Sequence, residues 1–199
     1  MYRFVKRFFD FTLSLMAFIV LSPILLIVAL AIKLDSQGPV FFKQERVGKD
    51  GKLFTIYKFR SMSTAAPKDC PTHMLEGSTS FITKVGGFLR KTSLDELPQL
   101  INIIKNDMSI IGPRPALEVQ QDLLDIRKQN GSYNLKPGLT GWAQANGRDE
   151  LEIEVKARFD GEYAQNIGFA MDLKCFLLTI KKVLTGDGVQ EGVHETTKE

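Results

Sequence analysis

The chain opens on an uncharged apolar run, FTLSLMAFIVLSPILLIVALAI from Phe11 to Ile32, then changes to short alternating and amphipathic stretches separated by turn residues. At ~1.5 Å of rise per helical residue the run reaches about 33 Å, enough to cross a hydrocarbon core of about 30 Å. Ser22 and Pro23 interrupt it at its centre. Proline lacks an N–H and crowds the carbonyl four residues earlier, so a helix bends or breaks there, while Ser22 can hydrogen-bond a carbonyl one turn back. Basic residues flank both ends: Arg3, Lys6 and Arg7 before the run, Lys33, Lys43 and Arg46 after it. Basic flanks favour the cytoplasm, so a re-entrant helix–break–helix satisfies both clusters and a kinked bitopic span only one. Charge counting leaves both readings open. A cleaved signal peptide is disfavoured, because the apolar core is too long and no small-residue cleavage pattern follows.

Beyond the run, Val40 to Gln44 predicts a strand, Gly48-Lys49-Asp50-Gly51 a tight turn, and Leu53 to Arg60 a second strand, together a hairpin. Alternation along the second strand puts Lys58 and Arg60 on one face, at the end of the Phe54/Ile56 row. Met62 to Thr83 is the least patterned stretch and reads as a mobile loop. Leu94, Leu97, Leu100, Ile101 and Ile104 then share a helical face, with Ser93 and Glu96 matching a capping box. Pro98 fits either the first turn of a later-starting helix or a kink in this one. A stiff connection, Ile111 to Pro115, leads into an amphipathic stretch from Ala116 to Gln129; a turn-rich segment follows, and then a charged helix from Leu151 to Tyr163. Ile167 to Leu184 mixes Phe169, Phe176 and Leu177 with Asp172, Lys174, Lys181 and Lys182. It is too charged to span a bilayer, and either lies in the interface or packs as an amphipathic core helix. The fold expected is mixed α/β, mainly helical with a short β-hairpin.

Composition narrows the classes. The residues after the apolar run suit one modest domain, and a net charge of +3 with a pI near 8.8 fits an anionic surface or a phosphorylated substrate without demanding either. The basic residues are dispersed among acids, with no zinc finger, helix-turn-helix or aromatic RNA-binding signature, so nucleic acid is excluded as a partner. Cys70 and Cys175 read as free thiols, and His73 and His194 sit in turn-rich segments without an evident catalytic partner. No phosphate-binding P-loop, dinucleotide turn or His-Glu-x-x-His motif is present.

Two features carry candidate chemistry. Adjacent Asp95 and Glu96 stand at or just before a helix N-terminus, where the dipole and free N–H groups favour an ionised carboxylate suited to a nucleophile or a magnesium ligand. Acidic residues there also serve as plain helix stabilisers. Arg114 is fixed between Pro113 and Pro115, which narrows its backbone freedom and preorganises a guanidinium for phosphate. A rigid surface turn is the competing reading. Lys58, Arg60, Arg90 and Arg148 add further candidate phosphate contacts.

In order along nearly the whole chain, the Ser22-Pro23 interruption, Tyr57-Lys58-Phe59-Arg60-Ser61-Met62, Thr92-Ser93-Leu94-Asp95-Glu96-Leu97-Pro98-Gln99, Asp107-Met108-Ser109, Gly112-Pro113-Arg114-Pro115 and Lys136-Pro137-Gly138-Leu139-Thr140-Gly141-Trp142-Ala143-Gln144 resemble the bacterial sugar transferase family, the small monotopic polyprenyl-phosphate phosphoglycosyl transferases. That resemblance implies a re-entrant membrane hairpin over 1–35, a catalytic domain over 36–186 on the cytoplasmic face of the bacterial inner membrane with helices lying in the interface, and a tail over 187–199. It implies transfer of a sugar 1-phosphate, from a UDP-sugar expected to be N-acetylated, to polyprenyl (undecaprenyl) phosphate. Asp95 would be the nucleophile and Mg2+ ligand, leaving UMP and a phosphosugar on its carboxylate. Glu96 is a positioning partner, with Arg90, Arg114 and Arg148, and then Lys58 and Arg60, as phosphate or nucleotide contacts. Asp160 and Asp172 match acidic positions of the family without a firm role. Gly168 departs from the small polar residue of many relatives, and the chain resembles the family's short form. A homodimer or downstream glycosyltransferases are open as partners. A membrane-anchored, non-catalytic organiser of a glycan pathway and a conventional glycosyltransferase are the competing functions.

Overall fold

The computed structural model describes residues 2–67, 81–147 and 151–185. Cys70, His73, Arg148, His194 and the tail from 187 lie outside the described residues. The apolar run is part of one long helix, α1 (Tyr2–Asp35), assigned without interruption through Pro23. The expected pair of helices separated by a break is therefore corrected to a single helix with proline inside it. The side chains explain how that is tolerated: Pro23 removes the N–H that would bond the Ile19 carbonyl, and Ser22 Oγ donates to that same carbonyl at 2.7 Å.

α1 is long and apolar enough to cross a membrane, yet it is seated on the rest of the protein along its whole length. Near its start, Tyr2 and Lys6 donate to Asp172 at 2.5 and 2.7 Å, Arg7 to the carbonyls of Ile103 and Ile104, and buried Asp10 accepts from Ser109 Oγ and the Ile110 N–H. Mid-helix, Ala17, Phe18 and Leu21 pack on Ile56, Leu100, Ile103 and Met108. Near the end, Val28 and Ile32 join Phe59 and Leu89. The opposite side stays apolar and exposed, with Val20 at 72% and Ile27 at 65%.

The expected hairpin forms, its first strand running on past Gln44 and its second ending one residue before Arg60: β1 (Phe41–Val47) pairs antiparallel with β2 (Leu53–Phe59), from Phe41 opposite Phe59 to Val47 opposite Leu53. Asp50 at φ 55° and Gly51 at φ 78° make the turn. On the other edge of β2, the fully buried Asn102 stands in for a strand, accepting from Tyr57 N–H and donating to the Thr55 carbonyl. Helix α2 (Lys84–Lys91) follows, N-capped by Thr83, and Gly86 presses against Ser61, where a Cβ would come within 1.9 Å of the carbonyl oxygen.

A 3-10 turn, Leu94–Glu96, precedes α3 (Gln99–Ile104), which starts directly after Pro98. This is the later-starting version of the helix. The capping box does not form: Ser93 is left-handed at φ 56° and its side chain caps nothing.

Next come β3 (Ser109–Ile111), α4 (Gln121–Asn130), β4 (Gly138–Thr140), α5 (Trp142–Asn146), α6 (Ile153–Gln165) and α7 (Phe169–Thr185). β3 and β4 pair in parallel, a crossover that sequence pattern did not reveal. Val47, Ala116, Leu123, Leu124 and Ala157 form one core, and Ile111, Leu135, Tyr163 and Cys175 another. On α7, Phe169, Leu173, Phe176, Leu177 and Ile180 are exposed.

Candidate active site

Left-handed Ser93 ends the α2 segment and turns the chain so that the next two carboxylates face different ways. Glu96 Oε1 accepts from Lys58 Nζ of β2 at 2.7 Å and from Arg114 Nη2 at 3.3 Å. One carboxylate thus ties the hairpin to the Pro-Arg-Pro connection. Asp95, buried to 8% exposure, lines a cavity of about 460 Å³ together with Arg46, Lys58, Arg60 and Arg90. Burial raises its pKa to about 6, and the Glu96 charge adds to the rise, while Lys58, Arg90 and Arg114 pull the other way. The turn at Asp95 is 3-10 rather than the expected first turn of an α-helix, and desolvation by burial, not a helix terminus, is the largest influence on this carboxyl.

Lys58, Arg90, Arg114, Asp95 and Glu96 are thus brought together. Arg60 takes a different post. Its guanidinium edges the cavity but donates to the carbonyls of Ile32, Ser36 and Gln37, closing the C-terminal end of α1. Arg148 lies outside the described residues.

Sequence reading missed Arg46, which sits on the same face of the hairpin as Lys58 because alternate residues of β1 share that face. Extending the strand past Gln44 would have found it. Arg46 donates to the Gln44 side chain and the Pro115 carbonyl, its Nε has no hydrogen-bond partner, and burial followed by the nearby Arg114 charge pushes its pKa down to about 10. Arg127 was also missed. It forms a buried pair with Asp160 at 2.6 Å and donates to the Arg114 main-chain carbonyl at 3.0 Å. Asp160 therefore holds the arginine that holds Arg114. Asp172 accepts from Tyr2, Lys6 and Tyr163, joining α7 and α6 to the start of α1.

The donor set fits magnesium of the kind completed by substrate. Among the described residues no three His, Cys, Asp or Glu side chains cluster as a metal cage, but magnesium bound beside phosphates needs only one or two carboxylates. Asp95 opens onto the cavity, while Glu96 Oε1 is already engaged by two cations.

A buried carboxylate beside several cations in one cavity, on a domain that carries a long apolar helix, is an arrangement able to receive an anionic ligand. The family model for bacterial sugar transferases matches residues 1–186, and the chain belongs to that family of enzymes. It is 42% identical to a Bacillus subtilis protein named as the uncharacterized sugar transferase EpsL, covering 98% of this chain and 94% of the relative. It is also 42% identical to the UDP-glucose:undecaprenyl-phosphate glucose-1-phosphate transferase of Escherichia coli, over 90% of this chain and 40% of that protein. With the UDP-N-acetylgalactosamine-undecaprenyl-phosphate N-acetylgalactosaminephosphotransferase of Aeromonas hydrophila the identity is 38%, over 95% and 46%. The chain thus spans nearly all of the first relative and less than half of the other two.

Burial of Asp95 has a measurable cost. A carboxyl whose folded pKa is raised contributes stability that is present below the unfolded value and lost as pH rises through about 6. Asp95→Asn, uncharged at every pH, should match wild type in thermal or urea unfolding near pH 4 and exceed it by ~2 kcal/mol above pH 7. Equal stability across that range would show that Asp95 is not a strained charge.

Proposed function

We propose that this protein transfers a sugar 1-phosphate from a UDP-sugar to polyprenyl (undecaprenyl) phosphate, releasing UMP. The observation that carries this reading is the buried Asp95 carboxylate facing a cavity beside Lys58, Arg46 and Arg90, with Arg114 close by. The named reactions of the Escherichia coli and Aeromonas hydrophila relatives, both on undecaprenyl phosphate with a UDP-sugar in the name, agree with it.

In the first step an Asp95 oxygen attacks the sugar-bearing phosphorus in line, and the bond from that phosphorus to the bridging oxygen breaks. UMP departs with the electron pair, and an acyl phosphosugar remains on Asp95. An oxygen of the lipid phosphate then attacks the same phosphorus and releases the carboxylate. The attacking lipid phosphate is already an anion, so no general base is required. Arg46, Lys58, Arg90 and Arg114 offset the repulsion between carboxylate and diphosphate. Magnesium, held by Asp95 and the substrate phosphates, would supply further charge neutralisation. Glu96 keeps Lys58 and Arg114 aimed at the same place.

The sugar expected from sequence is N-acetylated; the names of the relatives include glucose, galactose and N-acetylgalactosamine. The purified chain incubated with magnesium, undecaprenyl phosphate and a panel of such UDP-sugars should release UMP that requires both lipid and Asp95. Turnover should fall below about pH 6 as Asp95 protonates. UDP as product would instead mean glycosyl transfer. Neither product from folded protein would favour the organiser reading, and turnover by Asp95→Asn would remove the assigned nucleophile.

The membrane arrangement follows from the seating of α1. A span would carry one end of the helix ~30 Å away from a domain on one face, whereas both ends of α1 are bound to the same domain. This supports a monotopic protein, α1 dipping its exposed apolar side into one leaflet, and the basic residues at both ends of the apolar run favour the cytoplasmic face. Cysteines placed at Tyr2 and at Lys49 should both resist an impermeant label applied outside intact cells. Labelling of one alone would indicate a span.

A further inference from the structure

The start of α1 borders a second cavity, of about 210 Å³, none of whose lining residues belongs to the one that Asp95 faces. Arg3, Lys6, Arg7, Lys49 and Lys136 line it, against a single lining carboxylate, Asp10. Asp10 is already committed to Ser109 Oγ and the Ile110 N–H. Lys6 is paired with Asp172, and Lys49 with Asp50 at 3.5 Å on the surface. Among the described residues, Arg7 and Lys136 donate to neutral acceptors, the carbonyls of Ile103 and Ile104 and the Asn106 side chain. Burial, followed by the Arg7 charge and less strongly by Lys49, pushes the Lys136 pKa down, with Asp10 and Asp107 opposing. The cavity is crowded with positive charge that an anion would relieve.

What surrounds it points to the source of that anion. Phe4 is 84% exposed and Phe8 65%, both on α1, and Phe169 is 72% exposed at the start of α7. Asp172, bonded to Tyr2 and Lys6, holds these two helix ends together. Exposed aromatics on the two helices that Asp172 joins, with a basic recess at the start of one of them, match the headgroup level of a bilayer, where the rings meet acyl chains and the cations meet phosphate.

We infer that this cavity binds the phosphate headgroup of an anionic membrane lipid, separately from the catalytic site. The inference rests on the membrane seating of α1 but not on the transfer reaction, so a binding measurement separates its failure from failure of that reaction. The detergent-solubilised full chain is titrated with a short-chain phosphatidylglycerol, with phosphatidylcholine of the same chains, and with inorganic phosphate, each followed by thermal shift. Phosphatidylglycerol should stabilise saturably and the other two far less. Arg3→Gln and Lys136→Gln should each weaken phosphatidylglycerol binding about five-fold, the equivalent of one basic side chain at a lipid surface. Lys128→Gln, a surface change outside the cavity, should leave it unchanged. Phosphatidylcholine acting equally well, inorganic phosphate binding as tightly, or Lys128→Gln weakening binding as much as the cavity variants would each overturn the inference. So would undiminished binding by both cavity variants.

Discussion

Glu96 accepts two cations that come from separate parts of the chain, Lys58 from the hairpin and Arg114 from the connection after β3, and the layout of the site depends on that shared carboxylate. With Glu96 engaged, those cations are positioned near Asp95 but not fully neutralised by it. Asp95 is buried, and the cost of that burial exceeds the attraction of its neighbours. A carboxylate in that state is poorly solvated and close to positive charge, which suits attack on a phosphorus whose own charge those cations offset. Behind the pair, Arg127 and Asp160 hold the Arg114 main chain, so the arrangement is braced from a buried ion pair rather than from solvent.

The second constraint is the seating of α1. Arg60 closes its C-terminal carbonyls, Asp172 and the carbonyls at the end of α3 receive Lys6 and Arg7, and Asp10 of the helix itself accepts from Ser109. A helix this apolar would otherwise be free to cross a bilayer. Bound at both ends, it presents one face to the domain core and leaves the other apolar and exposed. In the proposed function that exposed face meets lipid and brings a lipid-borne acceptor and a water-borne donor to one boundary.

Much of this was legible in the sequence. Period-two alternation around a Gly-Lys-Asp-Gly turn located the hairpin and the face that carries Lys58, and Asp95-Glu96 and the proline-flanked Arg114, singled out separately, come together around Lys58. Other features had no local signal. Ser93 adopts a left-handed conformation that a Ser-x-x-Glu pattern cannot distinguish from a capping box, and β3 and β4, which pair across a long crossover, are strands of three residues, too short for periodicity to register. Arg60 was legible as a cation on a strand, but its binding to α1 carbonyls is set by tertiary packing, and Arg127 and Asn102 act only through partners distant in sequence. The Ser22 bond to a carbonyl one turn back was legible, but the continuity of α1 through Pro23 also depends on its seating against the rest of the chain on both sides of the proline, which no local pattern carries.

In the proposed mechanism the Asp95 carboxylate itself takes up the phosphosugar. Intact-protein mass spectrometry with UDP-sugar and magnesium, but without lipid acceptor, reads that step by itself. A mass increase of one sugar phosphate is expected, mapping to the peptide that contains Asp95, stoichiometric with released UMP and discharged when polyprenyl phosphate is added. Release of UMP only when the acceptor is present, with no adduct at any stage, would contradict it and place both substrates in a single direct displacement.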